Sequence, residues 1–122
     1  MNKLLLDSNI IIGVVKGRFS VAPLKTSSLI VSEITRLEIF GYHNLQLQEE
    51  KLLDQFFRNI DCLPVSKSII NQAIKFRKQK SMSVGDAIIA ATASVHKLPL
   101  ATANTKDFNH LEGLELINPL AI

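Results

Sequence analysis

Apolar residues fall along this chain in two patterns. Short unbroken runs, LLL at 4–6 and LIV at 29–31, alternate with longer stretches whose apolar positions recur every three or four residues. The first pattern predicts brief, fully buried strands and the second amphipathic helices. Strands are expected at 3–6, 28–31 and 62–65, with closing strands at 98–101 and 114–117. Asp7-Ser8-Asn9 can start a helix that runs from Ile10 to Val15 and is closed by Gly17. Further helices are predicted over 33–42 and 46–57, and after Ser66, where Ile69, Ile70, Ala73 and Ile74 share one face. The segment 84–96 is the most apolar helix of all. Unalternating strands set between helices imply a buried parallel sheet, hence an α/β sandwich.

Composition narrows this picture. The 122 residues suit one domain spanning 1–122, and 47% of them are hydrophobic, enough for a full core and an added interface. No apolar stretch approaches the ~20 residues that cross a bilayer, so no membrane role is expected. Lys3 and the leucines after it resemble a signal peptide only until Asp7, Ser8 and Asn9 interrupt them, so a cytoplasmic location is expected. The single Cys62 excludes an intrachain disulfide. A net charge of +3 permits a nucleic-acid partner without requiring one.

Four carboxylates carry the candidate chemistry. In open parallel sheets, ligands bind beyond the carboxyl ends of the strands. Asp7 follows the first strand, Asp107 lies in the loop after the fourth, and Asp86 opens the apolar helix. Each also fits a plainer role: Asp7 as a helix cap, Asp86 within the capping box Ser83-x-x-Asp86, and Asp107 as a turn residue. Glu38 is harder to explain that way. It shares a helix face with Ile34, Leu37 and Gly41, and no cation of its stretch stands on that face. Carboxylates gathered in one cleft repel one another unless a cation joins them. An all-oxygen set suits Mg²⁺ or Mn²⁺ rather than zinc, and the chemistry such an ion supports is phosphodiester hydrolysis.

The ordered motifs LLLDSNIII, ITRLEIFGY, GDAIIAATA and LATANTKDF resemble the PIN-domain ribonucleases, particularly the VapC-type toxins of toxin–antitoxin pairs. The likeness runs from Lys3 to the GLELINP near the end. It implies a three-layer α/β/α sandwich with a central parallel sheet and Mg²⁺- or Mn²⁺-dependent endoribonuclease activity. The family's acids fall on Asp7, Glu38, Asp86 and Asp107, with Ser8, Asn9, Thr35, Thr102 and Asn104 as supporting polar positions. Asp7, Asp86 and Asp107 would hold the metal, directly or through water, and Glu38 would orient or deprotonate the attacking water. Because the last motif varies most, Asn104 competes with Asp107 for the fourth place. The resemblance also implies a homodimer and a VapB-like antitoxin whose C-terminal segment enters the cleft.

Two other functions compete. A non-catalytic PIN-fold module would bind RNA or protein without cutting, yet would have no reason to keep like charges together. A phosphoacceptor signalling domain would need paired acids after its first strand and a lysine after its last, where this chain has Leu6-Asp7 and Thr102. The basic run 75–80 is either a solvated helix end or a phosphate-binding strip. His43, His96 and His110 lack metal-ligand spacing, and no catalytic histidine is expected.

Overall fold

The computed structural model describes residues 2–18, 20 and 27–119. In chain order it holds β1 (Asn2–Leu6), α1 (Ser8–Val15), β2 (Ser27–Ser32), α2 (Glu33–Phe40) and α3 (Leu47–Phe57). Then come β3 (Asp61–Leu63), α4 (Lys67–Gln79), α5 (Val84–His96), β4 (Leu100–Ala101), a 3-10 turn (Thr105–Asp107) and β5 (Leu116–Ile117). The strands form one parallel sheet in the order β3-β2-β1-β4-β5.

Successive side chains of β1 point to opposite faces, and each face has its own core. Leu5 packs with Ile69, Phe76, Ile89 and Phe108 on the α4–α5 side. Leu4 and Leu6 pack with Ile10, Ile11, Ile39 and Leu53 on the α1–α3 side. The sheet therefore lies between two helical layers, the expected α/β/α sandwich. Leu5 and Leu6 are fully enclosed, and burying each contributes about 1.5–3 kcal/mol.

Local chemistry sets the ends. Ser32, Ser66 and Ser83 cap α2, α4 and α5, their hydroxyls accepting from the N–H groups of Ile34, Ile69 and Asp86. Gln46 and Glu49 form a capping box that starts α3. Several expected boundaries shift, and α2 ends at Phe40 rather than 42. β3 stops at Leu63 rather than 65, because Pro64 has no N–H to donate to the ladder. The strand expected from 98 starts at Leu100: Lys97 turns left-handed at φ 54°, and the Leu98 N–H closes α5 by donating to the Ala93 carbonyl at 2.9 Å. The last strand is likewise shorter than 114–117. No helix among the described residues is long and apolar enough to cross a membrane.

Candidate active site at the strand ends

The strand order reverses beside β1. The chain first builds outward through β2 and β3, then crosses to lay β4 and β5 on the other side. Such a reversal leaves a crevice at the carboxyl ends, here between β1 and β4. Asp7 and Thr102, each one residue past its strand, meet in it.

Asp7 caps α1 and is only 4% exposed. Its Oδ1 accepts from the Ser8 N–H at 2.8 Å. Its Oδ2 accepts from the Asn9 side-chain amide at 3.1 Å and from the Thr102 hydroxyl at 2.8 Å. The Thr102 oxygen accepts in turn from the Asn104 N–H at 3.0 Å, and the Asn9 carbonyl oxygen takes the Ala103 N–H at 3.3 Å. These bonds hold the segment after β4 against the start of α1. The Asp7 N–H extends the ladder by donating to the Ala101 carbonyl at 2.9 Å. Asp7 is thus both a cap and a buried charge fixed in one orientation.

Asp86 stands in the first turn of α5 and is half-buried, with its N–H donating to the Ser83 hydroxyl at 3.1 Å. Glu38 departs from expectation. Leu37 beside it is 67% exposed, so their shared face is no buried stripe, and Glu38 itself counts as exposed. Its carboxylate nevertheless lies against α5. A Cβ built on Gly85 would collide with Glu38 Oε2 and stand 3.1 Å from its Cδ. Glycine is what lets α2 bring that carboxylate beside the first turn of α5. Arg36 faces elsewhere and pairs with Glu33 at 2.9 Å.

The acids sense one another. Asp7 titrates above the ordinary carboxylate range, chiefly because burial disfavours its charge, and the negative Asp107 adds to this against the hydrogen bonds that lower it. Glu38 is raised by desolvation and then by Asp7 and Asp86. Asp86 is raised by desolvation and then by Asp7 and Asp107. Asp107, exposed at the end of the 3-10 turn, is therefore coupled to the group, whereas Asn104 is exposed and contributes its backbone N–H. Thr35 is wholly buried, and its hydroxyl has no hydrogen-bond partner.

The donor set is all oxygen, and the charges acting on its raised members are negative, so a hard divalent cation fits its chemistry. Among the described residues, no three acidic, histidine or cysteine side chains stand close enough to enclose an ion by themselves.

Two cavities adjoin the acids, and neither was evident from sequence. A groove of ≈320 Å³ starts at Ser8 and Glu38 and runs along Ile12, Tyr42, Leu45 and Leu53 between α1, α2 and α3. Lys16 and Glu49, also in its wall, pair at 3.3 Å. A second cavity, of ≈210 Å³, has Asp86 and Asp107 in its wall, together with Lys80, Lys106 and His110. The basic run 75–80, which ends at Lys80 in this wall, was singled out in sequence without its surroundings.

A family model described as PIN domain matches residues 4–114. The structure is similar to a toxin–antitoxin complex from Klebsiella pneumoniae, with 29% identity and a TM-score of 0.79 over 95% of this chain and 97% of that one. FitAcB from Neisseria gonorrhoeae is 25% identical with a TM-score of 0.77, over 98% and 99% of the two chains. DNA-bound VapBC from Salmonella typhimurium shares the fold at 23% identity and a TM-score of 0.81, over 98% and 99%. Comparison with curated proteins gives no match.

Proposed function

The chain belongs to the PIN-domain family, and on that footing we propose that it is a VapC-like toxin: a Mg²⁺- or Mn²⁺-dependent endoribonuclease silenced by a VapB-like antitoxin. The observation that carries the proposal is the gathering of acids at the sheet's reversal point: Asp7 is buried and fixed by three hydrogen bonds, Glu38 lies against the first turn of α5 that bears Asp86, and the charge of Asp107 reaches Asp7 and Asp86. Like charges held in a partly desolvated crevice cost stability unless a cation is their purpose.

Asp7, Asp86 and Asp107 are the residues assigned to hold the ion. Bound there, a divalent cation lowers the pKa of a water and offsets charge building on the phosphate. Asp7 contributes a carboxylate whose direction Thr102, Asn9 and the Ser8 N–H fix beforehand, so no reorganisation is needed at the reaction. Glu38, with its raised affinity for protons, is suited to accept one from the attacking water. Gly85 keeps that carboxylate close to Asp86.

The apolar groove beginning at Ser8 and Glu38 suits a peptide segment of the antitoxin, which would obstruct the acids as it binds. The homodimer we assign to the apolar face where Ile70, Ile74 and Val84 are 39%, 48% and 56% exposed on α4 and α5.

The competing binding module is favoured by one observation, that among the described residues no three acidic, histidine or cysteine side chains are grouped to hold an ion. A cleavage assay on structured RNA separates the two. The ribonuclease cuts with Mg²⁺, stops with EDTA, and loses activity in Asp7→Asn and Asp86→Asn. Equal cleavage in all of these would sink the carboxylate site, and binding without cleavage by wild type would establish the module.

A further inference from the structure

The smaller cavity beside the acids brings two stretches of the chain together, 80–86 and 106–110. Lys80 comes from the end of α4, Ser83 from the cap of α5, Lys106 from the 3-10 turn and His110 from the loop just beyond that turn. Both lysines are exposed, and neither belongs to an ion pair among the described residues. His110 is different: both of its ring nitrogens are buried without a hydrogen-bond partner. An imidazole always has at least one N–H to donate, and leaving it unmet is unfavourable. Opposite these groups, Asp86 and Asp107 are shared with the acid cluster, so the cavity is continuous with the proposed reaction centre.

We infer that this cavity seats a second phosphate of the RNA strand, flanking the one to be cut, with Lys80 and Lys106 supplying charge and His110 a directed hydrogen bond once its ring, whose nitrogens are now enclosed, turns toward the cavity. The inference rests on the ribonuclease reading of the neighbouring acids. The charge pattern favours a strand over a free anion. Without the metal, two ammonium groups share the cavity wall with two carboxylates, which leaves little net attraction for a lone phosphate ion. A phosphate tethered to one already held at the acids arrives at high effective concentration and needs only local help. The end of the basic run 75–80 then has a role beyond complementing the dipole of α4.

The test uses the intact protein, Mg²⁺ and a short single-stranded RNA, with kcat and KM measured at several salt concentrations. Lys80→Ala/Lys106→Ala is expected to raise KM about tenfold while kcat stays within about threefold, and to flatten the slope of log KM against log salt by about 1. His110→Phe, which keeps a ring but no nitrogen, is expected to raise KM about three- to tenfold with the salt slope unchanged. Unchanged KM and slope in the double lysine variant, with wild type cutting normally, would overturn the inference and leave the ribonuclease reading intact. If wild type cuts nothing, that reading fails separately, and titrating the same uncut RNA still decides: a flatter salt slope for the lysine variant supports the subsite, and equal slopes refute it.

Discussion

Gly85→Ala separates stability from chemistry in this protein. Gly85 lies in the first turn of α5 with ordinary helical backbone, so alanine meets no backbone strain there and gains helix propensity, up to about 1 kcal/mol. Space is the obstacle. The new methyl carbon would overlap Glu38 Oε2 and stand 3.1 Å from Cδ and 3.4 Å from Oε1. Since carbon contacts settle near 3.5–4.0 Å, the carboxylate must retreat by about 1 Å. Glu38 ends a flexible side chain on an exposed stretch of α2, so it can swing away at little cost to the fold. A displacement of about 1 Å at a group that handles the attacking water costs on the order of 100-fold in rate. Urea unfolding is therefore expected to show a chain unchanged or up to about 1 kcal/mol more stable, while Mg²⁺-dependent RNA cleavage falls about 100-fold. Full cleavage by Gly85→Ala would refute the part assigned to Glu38. A loss of stability above about 1 kcal/mol would refute the claim that this side chain can yield.

Other perturbations probe the remaining parts of the site. Thr102→Val removes the donor to Asp7 Oδ2 and the acceptor of the Asn104 N–H inside a fully buried spot, and is expected to cost about 1–3 kcal/mol in urea unfolding, with Thr102→Ser restoring most of it. Asp7, Glu38 and Asp86 hold protons more tightly folded than unfolded, so metal-free stability is greatest with them neutral and falls as pH rises above the ordinary carboxylate values of 3.8 and 4.5. Asp86→Asn is expected to gain on metal-free wild type in thermal melts as pH rises above 3.8, and a difference constant with pH would contradict the charge coupling. Tyr42→Asp, at an exposed groove position, is expected to weaken antitoxin binding at least tenfold by calorimetry without altering RNA cleavage. Ile74→Glu on the α4–α5 face is expected to yield monomers in sedimentation.

Period and punctuation made the elements legible in the sequence. LLL and LIV read as buried strands, and Ser66 and Ser83 marked the starts of α4 and α5. Strand ends were harder, because they depend on one N–H: the absent one of Pro64 and the diverted one of Leu98. Asp7 and Asp86 were legible because each stands alone at the edge of an apolar run. The surroundings of Glu38 were not. Helical spacing grouped it with Leu37, yet Leu37 faces solvent, and the contact that matters is with Gly85, 47 residues further on. The grooves were invisible for the same reason, since their walls come from separate helices and no local pattern records their approach.

The hydrogen bond between Thr102 and Asp7 spans 95 positions of the chain. A polypeptide still being synthesised can form β1, β2 and β3 and the helices around them, but it cannot orient Asp7 until β4 has been added and docked beside β1. Asp107 arrives later still. The site's assembly thus reports that the chain has been made and folded at least as far as Thr102 and Asp107, and a fragment released before that point lacks the bond that aims its first acid. For a protein proposed to cut RNA in the cell that makes it, delaying competence until β4 has docked leaves time for an inhibitor to meet the folded groove around α1, α2 and α3 first.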